Sequence, residues 1–81
     1  QRFQGRVMIH FRTLGLEKQT LMAVKNILAA HKGNNDTRLH FVSPDNKERV
    51  VTVSQDLRIQ PSDVVIEEIQ SLLGEDAIVF E

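Results

Sequence analysis

The chain lacks cysteine, tryptophan and tyrosine altogether, and its 81 residues include only four phenylalanines, four glycines and two prolines. Without cysteine there is no disulfide, thiolate zinc site or cysteine nucleophile, which fits a reducing compartment. No apolar run approaches the roughly 20 residues of a membrane span, and no secretory leader is recognisable. We therefore expect no membrane contact. The first residue is Gln1, so we expect a piece of a longer chain.

Hydrophobic residues make up 41% of the sequence, which suits one small domain with a single core. The formal net charge is −1, but its distribution is uneven. Residues 1–60 carry ten basic and five acidic side chains, whereas residues 61–81 carry six acidic and no basic ones. Either the last helix has an acidic solvated face, or two surfaces of opposite sign meet different partners.

Hydrophobic periodicity predicts four strands and two helices. Residues 6–12 alternate, with Val7, Ile9 and Phe11 on one face. The spacing then predicts a helix over 17–32, with Gly33 as its left-handed cap. Strands follow at 37–43 and 48–54, a second helix starts at Ser62 and ends at Gly74, and a last strand covers 76–81. Residues 1–5 are expected to be a disordered or linker end, and 6–81 one domain.

The order β-α-β-β-α-β favours an α+β, ferredoxin-like two-layer sandwich. In that arrangement the four-stranded sheet is antiparallel, the first strand lies beside the third, and the second and fourth are at the edges. Both helices cover one face and leave the other free. For the hairpin between strands two and three, apolar matching predicts a loop at 45–47 and places Phe41 opposite Val51.

Catalytic and metal-binding patterns are missing from the sequence. The glycines at 5, 15, 33 and 74 form no phosphate-binding loop. In the antiparallel arrangement His10 and His40 lie about 10 Å apart, separated by the third strand, and His31 lies on the other side of the sheet. Glu67 and Glu68 are adjacent on a helix and diverge by about 100°. We expect no catalytic residue, no metal, no cofactor and no small-molecule substrate.

Binding of single-stranded nucleic acid is the alternative function, because the RNA-recognition motif has the same element order. The free sheet face would present Arg12, Arg38 and His40 to the backbone. That motif stacks bases on aromatic side chains of its first and third strands, and residues 47–53 contain none. A weak contact with single-stranded DNA remains open.

Three stretches, taken together, are similar to a known pattern. Residues 24–33 form a helix ending in His-Lys-Gly and lead into the strand at 37–42. Residues 57–62 read Leu-Arg-Ile-Gln-Pro-Ser, and residues 69–79 contain Leu-Leu-Gly before the final strand. This order resembles the C-terminal domain of the bacterial replicative DNA polymerase III alpha subunit. The resemblance covers nearly all of residues 6–81.

The resemblance implies a non-catalytic module of a DNA-directed DNA polymerase that acts in DNA replication in the bacterial cytoplasm. It further implies contact with the tau subunit of the clamp loader. Two surfaces are candidates for that contact. The first is the free sheet face, with Met8, His10, Arg12, Arg38, His40 and Val42. The second is the final strand with the acidic helix, with Glu67, Glu68, Asp76, Ile78, Phe80 and Glu81, where an edge strand could accept a partner strand.

Overall fold

The computed structural model describes residues 5–81. Its elements follow the expected order: β1 (Arg6–Arg12), α1 (Lys18–Ala30), β2 (Asp36–Val42), β3 (Glu48–Thr52), a 3-10 turn (Gln55–Leu57), α2 (Asp63–Leu73) and β4 (Ile78–Phe80). The prediction of a linker end at 1–5 falls, apart from Gly5, outside the described residues. Within 5–81, neither helix has the length and hydropathy that a membrane crossing requires.

The sheet is mixed, not antiparallel, and its strand order is β3-β2-β1-β4. β1 runs parallel to β2 and antiparallel to β4, while β2 and β3 form an antiparallel hairpin. The predicted α+β class is confirmed, but the ferredoxin-like sheet was wrong in three respects: β1 and β2 are parallel, β1 lies beside β2 instead of β3, and β3 instead of β2 is at the edge. A helical crossover such as α1 is the usual connection between adjacent parallel strands, and strands consecutive in sequence tend to be neighbours.

Both helices pack on the same face of the sheet. Val7, Ile9 and Phe11 of β1 join Val24 of α1 and Ile69 of α2 in one hydrophobic core. The predicted division of β1 into two faces is confirmed, since these three β1 residues are at most 1% exposed. The opposite side of the sheet therefore carries no helix, as the sequence predicted.

The start of α2 was also predicted correctly. The Oγ atom of Ser62 accepts a hydrogen bond from the Val65 N–H at 3.3 Å, which caps the helix. Leu72 was expected in the buried stripe of this helix, but it is 42% exposed. The buried face of α2 is narrower at the C-terminal end of the helix, where Leu73 still packs against the core but Leu72 does not.

The hairpin pairs with a register that differs from the prediction. Leu39 lies opposite Val51, and Phe41 lies opposite Arg49. The Asn46 N–H donates to the Ser43 carbonyl at 2.9 Å, so the turn begins at Ser43. Pro44 takes the second turn position, which suits its fixed φ, and Asn46 has the left-handed φ of 63° that closes a three-residue loop. The loop is thus 44–46 instead of 45–47, which shifts the pairing by two residues.

Gly33 has a different role from the predicted left-handed cap. Its N–H donates to the Arg58 carbonyl at 2.7 Å, and the backbone of Gln60 and Ile59 passes so close that a side chain would collide with it. Beside this crossing, the fully buried Thr37 accepts a hydrogen bond from the Ile59 N–H at 3.2 Å and donates one to the Asn35 carbonyl at 3.0 Å. Gly33 and Thr37 therefore fix the segment between β3 and α2 against the core.

Candidate functional site

The helix-free face is formed by the outward side chains of β1 and β2. Parallel pairing places the predicted residues of this face directly opposite one another. The three resulting pairs are Met8–Arg38, His10–His40 and Arg12–Val42. All six residues of the first predicted surface therefore lie together, but Met8 is only 8% exposed and is not available to a partner. β3 adds Val50 beside His40, and β4 adds Val79 beside Met8.

Ion pairs neutralise one end of this face. The Asp36 carboxylate lies 3.3 Å from Arg6 Nε and 3.2 Å from Arg38 Nη2. Its hydrogen bond with Arg38 is the main reason that the pKa of Asp36 is lowered. Arg6 also lies 3.7 Å from the Glu81 carboxylate. Two of the three arginines on this side of the sheet thus have acidic partners, and Arg12 is the exposed cation at the opposite end.

The two histidines at the centre form a pair that the sequence analysis excluded. Their ring centroids are 4.7 Å apart, because β1 and β2 are neighbours and no strand separates them. Partial burial, and then the proximity of His40, lower the pKa of His10. His40 Nε2 lies 3.4 Å from the Glu48 carboxylate, close enough for an ion pair when protonated but without hydrogen-bond alignment. Near neutral pH the lowered pKa favours an uncharged His10.

The centre of the helix-free face is therefore partly apolar, with Met8 and Val50 beside the two histidines, ion pairs on one side and Arg12 on the other. No three histidine, aspartate or glutamate residues within 5–81 are placed to hold a metal ion. Such a mixed surface suits contact with another protein surface, where a polar rim surrounds an apolar centre.

The second predicted surface does not form a single patch. Ile78 is only 8% exposed and faces Ile9 in the core, so it is not available to a partner. Glu81 pairs with Arg6 on the helix-free face, whereas Glu68 lies 2.9 Å from His31 between the helices. The remaining predicted residues, Glu67, Asp76 and Phe80, are exposed.

A groove at the end of the sheet was not predicted. It has a volume of about 690 Å³ and lies where β1 and β2 end, next to the last turn of α2. Leu14 at its rim is 79% exposed, and Glu75 and Asp76 contribute acidic groups. Leu72 also lines the groove. Its apolar spacing within α2 predicted a buried side chain, so the sequence did not indicate a groove residue here. The exposed Leu14-Gly15 turn was the available signal.

No family model, curated protein or solved structure was found to match this chain. The resemblance to the polymerase subunit therefore stays a prediction made from the three sequence stretches.

Proposed function

We propose that this chain is a non-catalytic C-terminal interaction module of a bacterial replicative DNA polymerase, the alpha subunit of DNA polymerase III. In this proposal it tethers the polymerase to the tau subunit of the clamp loader during DNA replication in the cytoplasm. Polymerase chemistry would belong to other parts of the parent chain. The partner is suggested by the three sequence stretches, and the binding role is supported by the helix-free face, on which Arg12 and Val50 are exposed.

One observation carries the binding role: the helix-free face and the groove are continuous. His10, Arg12 and Val42 belong to both, because they lie on the outward side of the sheet and at its end. A partner on the helix-free face can therefore extend over the sheet end and reach the exposed Leu14. Exposed apolar side chains beside polar groups are typical of protein-binding surfaces.

The nucleic-acid alternative has less support from the geometry. Phe11 and Phe41 stack on each other at 4.9 Å on the core side of the sheet, so neither offers a ring to a base on the helix-free face. Arg6 and Arg38 share the Asp36 carboxylate, which reduces their attraction for phosphate. Arg12 is the remaining arginine of this face without a described acidic partner within 5–81.

Calorimetric titration of the 81-residue chain with tau tests the proposal. We expect saturable binding with Kd in the range of about 0.1–10 μM. Arg12→Glu should weaken it by about tenfold or more, since it reverses a charge where the face meets the groove. Lys25→Glu is the matched control, because Lys25 is exposed on α1 and lies outside both surfaces. Absence of heat at about 50 μM tau would refute the proposed partner.

A parallel titration with a single-stranded oligonucleotide separates the two functions. For a protein-binding module we expect no saturable oligonucleotide binding at moderate salt. Oligonucleotide affinity that falls steeply with salt, combined with no response to tau, would favour the nucleic-acid alternative.

A further inference from the structure

The free edge of β3 is an unprotected strand edge. β3 pairs with β2 on one side, has no paired strand on the other within 5–81, and all five of its residues are exposed. The other edge strand, β4, has only three residues, and the first of these is the buried Ile78. Short length protects an edge from pairing with other chains, so β3 is the edge that can accept a further strand.

The hydrogen bonds at the two ends of the hairpin show which backbone groups are free. The Ser43 N–H donates to the Lys47 carbonyl at 2.9 Å, and the Val53 N–H donates to the Thr37 carbonyl at 3.2 Å. Bonded and non-bonded pairs alternate in an antiparallel ladder. Arg49 and Val51 therefore bond to β2, whereas the N–H and C=O groups of alternate residues point to the edge. These alternate residues are Glu48, Val50 and Thr52.

The side chains of β3 leave this edge accessible from both faces. Val50 is 49% exposed on the helix-free face, and Val51 is 41% exposed on the opposite face. Proline, lysine and bulges are the usual devices that block a free edge, and residues 48–52 contain neither proline nor lysine. The two charges present, Glu48 and Arg49, have opposite signs.

The strand is complementary to itself. An antiparallel pairing centred on Val50 sets Glu48 opposite Thr52 of the second copy and Arg49 opposite Val51 of the second copy. The two Val50 side chains then meet at the twofold axis. No like charges face each other, and every free backbone group finds a partner.

We propose that two copies of this chain associate by antiparallel pairing of their β3 strands, joining the two four-stranded sheets into one. The contact is smaller than a standard interface of about 1,600 Å², so the dimer is weak, with Kd on the order of 0.1–1 mM. This inference does not depend on the proposed tau contact, since it rests on the unpaired backbone groups of the β3 edge, although Val50 itself lies on the helix-free face.

Amide hydrogen exchange measured at about 1 mM and about 20 μM protein tests the pairing directly. At the higher concentration the Val50 and Thr52 amides should gain protection by about two- to fourfold, as the proposed range of Kd requires. The Arg49 and Val51 amides already bond to β2 and should change less. Sedimentation velocity over the same range should show the average mass rising with concentration.

Two valine substitutions complete the test. Val50→Lys places two like charges at the twofold axis and should abolish the concentration dependence. Val79→Lys is the matched control, because Val79 is 39% exposed on the same face but on the other edge strand, and it should associate as the unmodified chain does. If Val50→Lys does not fold, the concentration dependence of amide hydrogen exchange in the unmodified chain tests the pairing by itself.

Three results would overturn the proposal. The first is a monomer at about 1 mM with unchanged Val50 and Thr52 exchange, which would leave the edge to a strand from another protein. The second is association that persists in a folded Val50→Lys variant. The third is an equal loss of association in Val79→Lys. The second and the third result would each assign the contact to a surface other than β3.

Discussion

The two halves of the sheet differ in how they are buried. The covered half comprises β1, β4 and both helices, and the hairpin half comprises β2 and β3. The division is not complete, since Thr37 of β2 is fully buried while Val79 and Phe80 of β4 are exposed. Met8 of β1 is only 8% exposed although it lies on the helix-free face, because Arg38 and Val79 flank it on neighbouring strands. Val50 lies on the same face and is 49% exposed. Lateral neighbours, as well as the helix layer, therefore decide how far a strand is removed from water.

The largest expected difference between the halves concerns the stacked phenylalanines. Phe11→Ala should lower the free energy of unfolding by about 3–5 kcal/mol, because Phe11 is 1% exposed in the core. Phe41→Ala should cost less, about 1–3 kcal/mol, since Phe41 is only partly buried. Urea unfolding followed by circular dichroism measures both values. Equal losses would mean that the hairpin half is as tightly packed as the covered half.

A loss of this size approaches the whole stability of a small domain. If Phe11→Ala does not fold, Phe11→Leu and Phe41→Leu give the same comparison with smaller changes in volume.

Gly33, where the backbone passes close to that of Ile59 and Gln60, should be the position next most sensitive to substitution. An added Cβ would lie 2.6 Å from the Ile59 carbonyl carbon and would also overlap the Gln60 nitrogen, both in the backbone. We expect Gly33→Ala to lower the free energy of unfolding by about 2–3 kcal/mol. Gly15→Ala is the control: Gly15 has φ of +75° with open space around it, so only backbone strain of about 1 kcal/mol applies. A Gly33 variant as stable as the Gly15 variant would contradict this packing.

The smallest effect concerns the histidine pair where the two halves meet. Burial and His40 lower the pKa of His10 below its unfolded value of about 6.5, so the unfolded chain binds more protons in the interval between the two pKa values. This contribution to stability is complete above about pH 6.5 and is lost as the pH falls through that interval. Thermal unfolding at several pH values should therefore show Tm decreasing on acidification.

His10→Gln should weaken the dependence of Tm on pH between about pH 5 and 7. The reduction should correspond to at most about one proton taken up on unfolding. His31→Gln is the comparison, since His31 lies between the helices. An unchanged slope in His10→Gln would show that His10 titrates alike in the folded and unfolded chains.

The type of each element and the face on which each of its side chains lies were predictable, because both depend on local periodicity. The bounds of β1, the Ser62 cap and the core side of Phe11 all follow from spacing and from the residues at element ends. Strand order was not predictable in this way, because alternation shows which face a side chain takes but does not identify the neighbouring strand. The same limit explains the missed contact between His10 and His40.

Two further errors came from reading a residue by its commonest role. Gly33 follows a helix, and the pattern favoured a left-handed cap, whereas the position requires glycine for close backbone contact. In the hairpin, the register was predicted by pairing apolar residues of the two strands. Pro44 was the better indicator, because it takes the second position of a turn that begins at Ser43. For the site, the six outward residues of β1 and β2 were identified, but the groove was missed because the exposure of Leu72 depends on where the helix stripe ends.

The pairing of β1 with β4 has a mechanical consequence. The Arg6 and Glu81 backbones exchange two hydrogen bonds, at 3.0 and 2.8 Å, so the two ends of the described chain emerge side by side. A pulling force applied between these ends would act on that outermost pair first and peel the two strands apart rung by rung. The domain should thus yield at a low load when stretched end to end.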